Sequence, residues 1–159
     1  MRTLQVLGVL VSLLTMYSVS PGADDDALQA GLKALEGKWE VTACQKDGEE
    51  QADVLKLGIK LEFKDENMEI TGSDPNFTPQ KRFIKLDVTT TPKLMDVAEK
   101  AEELKDGTKL LEGLYSVDGE TFKFCFQMDG DQPAKGKRPS ALESKVGSGV
   151  LMLTFKKVK

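Results

Sequence analysis

Apolar residues fall at every second position in one short segment of this chain after another, and a period of two belongs to a β-strand with one buried face. Phe122, Phe124 and Phe126 alternate with Lys123 and Cys125. Ile59, Leu61 and Phe63 alternate with Lys60, Glu62 and Lys64. Trp39, Val41 and Ala43 alternate with Glu40, Thr42 and Cys44, which sets Cys44 on the face away from Trp39. Met68 with Ile70, Ile84 with Leu86 and Val88, and Leu151 with Leu153 and Phe155 repeat the pattern. Lys93–Val97, Leu110–Val117 and Ala141–Lys145 read as further strands, giving eight or nine.

Turn residues separate these runs: Asp47-Gly48, Asp65–Asn67, Gly72–Pro79 and Asp118-Gly119. An Asp-Gly between alternating runs is the strongest short-range hairpin signal. Links this short make antiparallel pairing the default. A sheet of this many strands closes into a barrel or splits into a sandwich.

Two stretches have helical spacing instead. Ala27, Leu28, Leu32 and Leu35 follow Asp24, Asp25 and Asp26, acids that suit the positive end of a helix. A short helix is expected over Ala27–Leu35. Val97, Ala98, Ala101 and Leu104 predict one or two helical turns over Ala98–Leu104.

The amino terminus reads as an address. Arg2 precedes an apolar run from Val6 to Leu14, and the small residues Ser18, Ser20, Gly22 and Ala23 follow. This is the pattern of a secretory signal peptide over residues 1–23, leaving one domain over 24–159. The apolar run falls short of the roughly 20 residues a membrane helix needs. The expectation is therefore export to the periplasm or beyond the cell, with no membrane span after cleavage.

Composition excludes several kinds of chemistry. The chain has 159 residues and no histidine. The usual general base, the usual zinc ligand and every Ser-His or Cys-His nucleophile are missing with it. The net charge is −4 and no basic run is long enough for nucleic acid. Asp129, Gly130 and Asp131 lack the spacing and closing Glu of a calcium loop. No metal or cofactor is expected. Asp87, Asp96 and Asp118 are the candidates for a carboxylate pair of the kind glycoside hydrolysis uses, but nothing in the sequence brings two of them together. The expectation is a protein that is not an enzyme.

Gly37-Lys38-Trp39 opens the first strand directly after the short helix. The Gly113–Phe126 stretch carries Gly-x-Tyr-x-x-Asp-Gly-x-Thr, Arg138-Pro139 follows, and Gly147-Ser148-Gly149 precedes the last strand. In this order the motifs resemble the lipocalin-like domain expanded in planctomycete bacteria, a family to which no activity is assigned. The resemblance covers essentially all of 24–159. It implies an all-β fold, a small antiparallel lipocalin-like barrel with a short N-terminal helix. Gly37, Trp39, Asp118, Gly119, Arg138 and Pro139 are the motif positions. The family implies a Trp39 that plugs the closed end, with the Arg138 guanidinium stacked over it.

Inside such a barrel the candidate lining is Trp39, Val41, Phe63, Leu86, Tyr115, Phe122, Phe124 and Phe155. Eight strands enclose an interior just wide enough either to hold one small ligand or to be filled by side chains. The leading expectation is a secreted binder of a small apolar or amphipathic ligand in the cup. The alternative is a solid barrel acting as an interaction or scaffold module for an extracytoplasmic protein or polysaccharide. Cys44 and Cys125 are the only cysteines, and an exported compartment permits a disulfide between them. Bridging requires adjacent strands with Cα atoms within about 7 Å; otherwise each is a lone thiol.

Overall fold

A computed structural model describes residues 22–159. The predicted signal peptide lies almost wholly outside the described residues; only Gly22 and Ala23 fall inside them, in the first helix.

Helix α1 spans Gly22–Leu35, earlier at its start than the apolar spacing predicts, because Asp24 and Asp25 occupy its first turn. Strand β1 follows at Gly37–Lys46, then the two-residue β2 at Glu49–Glu50, the short helix α2 at Ala52–Lys56, β3 at Lys60–Lys64 and β4 at Asn67–Thr71. Next come β5 at Gln80–Asp87, β6 at Lys93–Ala98, the one-turn helix α3 at Glu103–Asp106 and β7 at Leu111–Asp118. The chain then forms β8 at Thr121–Asp129, the two-residue β9 at Gln132–Pro133, and β10 at Val150–Lys157.

Eight of these strands form a closed antiparallel barrel. The order runs β1-β3-β4-β5-β6-β7-β8, and β10 lies between β8 and β1 to complete the ring. From β3 to β8 neighbours in the ring are neighbours in sequence, as short links favour, and only the closure of β10 on β1 joins the two ends of the chain. The fold is thus all-β, a small lipocalin-like barrel with a short helix at the amino end.

The alternation read from the sequence sets the inner face. In β3, Leu61 and Phe63 are buried while Lys60, Glu62 and Lys64 are exposed. In β8, Phe122 and Phe124 point inward and Lys123 outward. The β7–β8 hairpin is displaced by one residue from the expected turn. Asp118 pairs with Thr121, so the loop is Gly119-Glu120 rather than Asp118-Gly119. Gly119 has φ +56, the left-handed conformation that such a tight hairpin needs at its first central position.

Three other expectations change. A β-bulge interrupts β1 between Val41 and Ala43, leaving Thr42 as an extra residue against β10. The bulge reverses the alternation, so Cys44 pairs with Leu153 and turns to the inner face with it. Ala141–Lys145 is not a strand but part of a long connection between β9 and β10. The helical turn in the 98–109 link falls at Glu103–Asp106, because Ala98 is still the last residue of β6.

Candidate functional site

The eight candidate lining residues converge inside the barrel. Trp39, Val41, Phe63, Leu86, Tyr115, Phe122, Phe124 and Phe155 all belong to one buried cluster. Phe122 stands at its centre. Its ring lies 5.7 Å from Trp39, 5.5 Å from Phe63, 6.5 Å from Tyr115, 6.4 Å from Phe124 and 5.3 Å from Phe155. These are the separations of aromatic rings in direct packing. Leu35, Ile84, Met95 and Val97 fill the spaces between them. The lining residues therefore meet one another across the lumen.

Trp39 is fully buried, and its indole Nε1–H donates to the Leu35 carbonyl at 2.6 Å. The cation over its ring is Lys157, with Nζ 5.2 Å from the centroid. Arg138 is elsewhere, which corrects the stacking the family resemblance implies. Lys157 is the register partner of Trp39 on β10, whereas Arg138 sits in the β9–β10 connection on the far side of the β6–β7 pair. There Arg138 Nη1 donates to the Gly113 carbonyl at 2.6 Å and Nη2 donates to Asp96.

Asp96 is the one charged residue buried among the described residues, and it anchors a cluster on the outer face. Lys109 Nζ lies 2.7 Å from Asp96 Oδ2 and 3.3 Å from Glu112 Oε1, and Arg138 Nη2 lies 3.7 Å from the same Glu112 oxygen. Asp96 and Glu112 are directly opposed on β6 and β7. Two like charges so placed repel, and the two cations balance them. The hydrogen bond to Asp96, more than any other influence, raises the Lys109 pKa above its ordinary value. This carboxylate pair is not the one proposed from sequence. Asp87 is instead held by the Thr89 amide at 2.9 Å and the Thr89 hydroxyl at 2.6 Å, which lower its pKa. Asp118 ends β7 at the hairpin.

The cluster has a mechanical role. It fastens the connection around Arg138 and the residue Lys109 onto the same strands. Leu142 of that connection packs with Leu94 and Met152 on a second small core of Leu114, Cys125 and Val150, outside the barrel. More bonds complete the attachment. Gly48 N donates to Ser144 Oγ at 3.0 Å, Ser144 Oγ to the Val150 carbonyl at 2.8 Å, and Gln127 Nε2 to the Ser148 carbonyl at 2.7 Å. Val146 at the tip remains 87% exposed.

Both cysteines are free and buried. Cys125 pairs with Met152 and Cys44 with Leu153, adjacent residues on opposite faces of β10. The thiols thus lie on opposite faces of the sheet with a strand between them. Two strand spacings are about 9–10 Å, beyond the reach of a disulfide. The bulge at Thr42 overturns the expectation that Cys44 lies on the face away from Trp39. Burial pushes both thiols up to about 11.

The Asp96 cluster and the outer core escape the sequence reading, because both depend on the β6–β7 register and on the path of the β9–β10 connection. The alternation of β6 alone sets Asp96 outward; it carries no sign of Lys109 or Arg138. Among the described residues no helix is long and apolar enough to cross a membrane, and no cluster of three metal-ligating side chains occurs. No family model matches the chain, and the curated proteins and solved structures hold no significant match to it.

Proposed function

We propose that this chain is an exported, non-enzymatic interaction module, a solid barrel that meets a protein partner through its outer surface. One observation carries the reading: Phe122 lies within packing distance of five other rings, so the lumen is core rather than cup. This favours the scaffold alternative over a ligand held in the barrel. The export half rests on the N-terminal pattern of residues 1–23 and on the resemblance to the planctomycete lipocalin-like family.

The β9–β10 connection is the surface best suited to the task. It is tied down by Arg138, Ser144 and Ser148, so little ordering entropy remains to be lost on binding. It presents Val146, an apolar side chain that the fold itself does not use. A protein fits better than a polysaccharide. Sugar rings stack on exposed aromatic side chains, and every aromatic among the described residues is buried or half-buried.

Photo-crosslinking in the producing cell tests this reading. A crosslinking residue at Lys145 captures one defined protein, the same residue at Glu66 in the β3–β4 turn does not, and Val146→Asp abolishes the capture. Equal capture from both positions, or none from Lys145, overturns the proposal.

A further inference from the structure

Tyr115 is 2% exposed, and its hydroxyl has no hydrogen-bond partner among the described residues. A buried hydroxyl is ordinarily satisfied, so an orphan asks for an explanation. The hydroxyl is directed at α1. A Cβ added at Gly31 would stand 3.5 Å from its oxygen and 2.9 Å from Val88 Cγ1. The helix approaches this closely only because residue 31 has no side chain.

A groove of about 310 Å³ runs along that contact, between α1 and the barrel rim. Ala27, Ala30 and Ala34 form its helix side, and Val88 and Val117 its barrel side. A second groove of about 320 Å³ continues it past Thr90 and shares Lys93, Tyr115 and Val117. Both volumes sit at the small end of the range for small-molecule sites.

Lys93 and Tyr115 are direct register partners on β6 and β7. Their side chains leave the sheet on one face, with Cβ atoms about 5 Å apart. Lys93 is exposed and takes part in no ion pair among the described residues. Two hydrogen-bond donors without protein acceptors thus flank an otherwise apolar groove. Burial, with Asp87 adding to it, pushes the Tyr115 phenol up to about 12, so it stays a donor at any ordinary pH. Asp87 itself pairs with Leu94 on the outward register and is occupied by Thr89.

We propose that this groove binds a small amphipathic carboxylate, with the Tyr115 hydroxyl and the Lys93 ammonium on the carboxylate and the alanines of α1 along its chain. Helix α1 is anchored through Gly31, Leu32 and Leu35, while its first two turns are exposed or half-buried. The Tyr115 hydroxyl lies beneath Gly31, so the site opens to a head group when α1 lifts from its free end as far as that residue, leaving Leu32 and Leu35 in place. The site is separate from the Val146 surface and does not depend on it.

Decanoate titrated into the protein below its micellar concentration is the probe, followed by calorimetry and amide chemical shifts. Saturable one-to-one binding that moves the Gly31 amide is expected. Tyr115→Phe and Lys93→Gln each weaken it roughly tenfold, the size expected for one hydrogen bond to a charged group. Decanol, with the same chain and no charge, binds no better than decanoate binds Lys93→Gln. Ala30→Leu, an exposed position, fills the groove and abolishes binding. Without decanoate, Tyr115→Phe melts higher than the parent, because it removes an orphan hydroxyl. Absence of saturable binding, equal affinity for decanol, or either donor substitution without effect overturns the proposal.

Discussion

Trp39 donates its indole hydrogen to the carbonyl of Leu35, four residues back, at 2.6 Å. Leu35 is the last residue of α1, and the final carbonyls of a helix have no partner within it. A side chain buried in the barrel core therefore also closes the helix packed against that core. Trp39→Ala is expected to lose about 3–5 kcal/mol. Trp39→Phe keeps part of the ring packing but orphans the carbonyl, and should fall between that variant and the parent. Urea unfolding of the three proteins checks the order; an unchanged midpoint for Trp39→Ala would remove Trp39 from the core.

Phe122 touches every other large ring of the central cluster, so its removal should leave the largest single void. Phe122→Ala is expected to lose about 3–5 kcal/mol and to acquire affinity for a small apolar guest such as benzene or xenon. The parent should bind neither. Guest-induced shifts in the parent would show that the lumen is already open.

The outer cluster has a distinct signature in alkali. Lys109 has its pKa raised in the folded state, chiefly by its bond to Asp96. A raised pKa means the stabilisation is complete below the unfolded lysine value of about 10.4 and is lost as pH climbs through the folded value. Stability should therefore be flat with respect to Lys109 near neutrality and fall above about pH 10. Asp96→Asn should lower stability at pH 7 and shrink the alkaline fall. Chemical denaturation at pH 7 and at pH 11 measures both effects.

Cys44 and Cys125 should resist thiol reagents while the protein is folded. Both are enclosed, and burial holds their pKa values up to about 11, so little thiolate is present. Labelling by iodoacetamide should follow the unfolding curve, and reductant should leave the melting temperature unchanged. An intact mass two hydrogens light would contradict the separation of the two thiols.

The barrel was legible in the sequence wherever a strand has one wet face. Phe63, Leu86 and Phe122 are where their alternation puts them. The reading fails where a strand departs from strict alternation: Thr42 is one residue too many, and everything after it in β1 changes sides. It fails again at Ala141–Lys145, where a loop lies on the sheet and Leu142 mimics the burial of a strand residue. Lys157 rather than Arg138 lies over Trp39, because cross-strand register decides which cation meets the ring, and register is a property of two segments together. The Asp96 cluster draws on three separate segments, and none of them signals the others. The Tyr115 groove is invisible for a related reason. Its aromatic marks a strand, but only the approach of α1 at Gly31 leaves its hydroxyl without a partner.

The position of β10 has a consequence for how the molecule comes into being. It is hydrogen-bonded to β8 on one side and to β1 on the other. A chain synthesised only as far as Ser148 has made every other strand of the ring, yet it must wait as an open sheet. Two bare edges, β1 and β8, then offer unpaired backbone groups to any neighbouring chain. Contacts between the start and the end of a sequence are also the slowest to form. For this protein the hazardous interval comes late in its making, and whatever escorts it until then must shield those two edges.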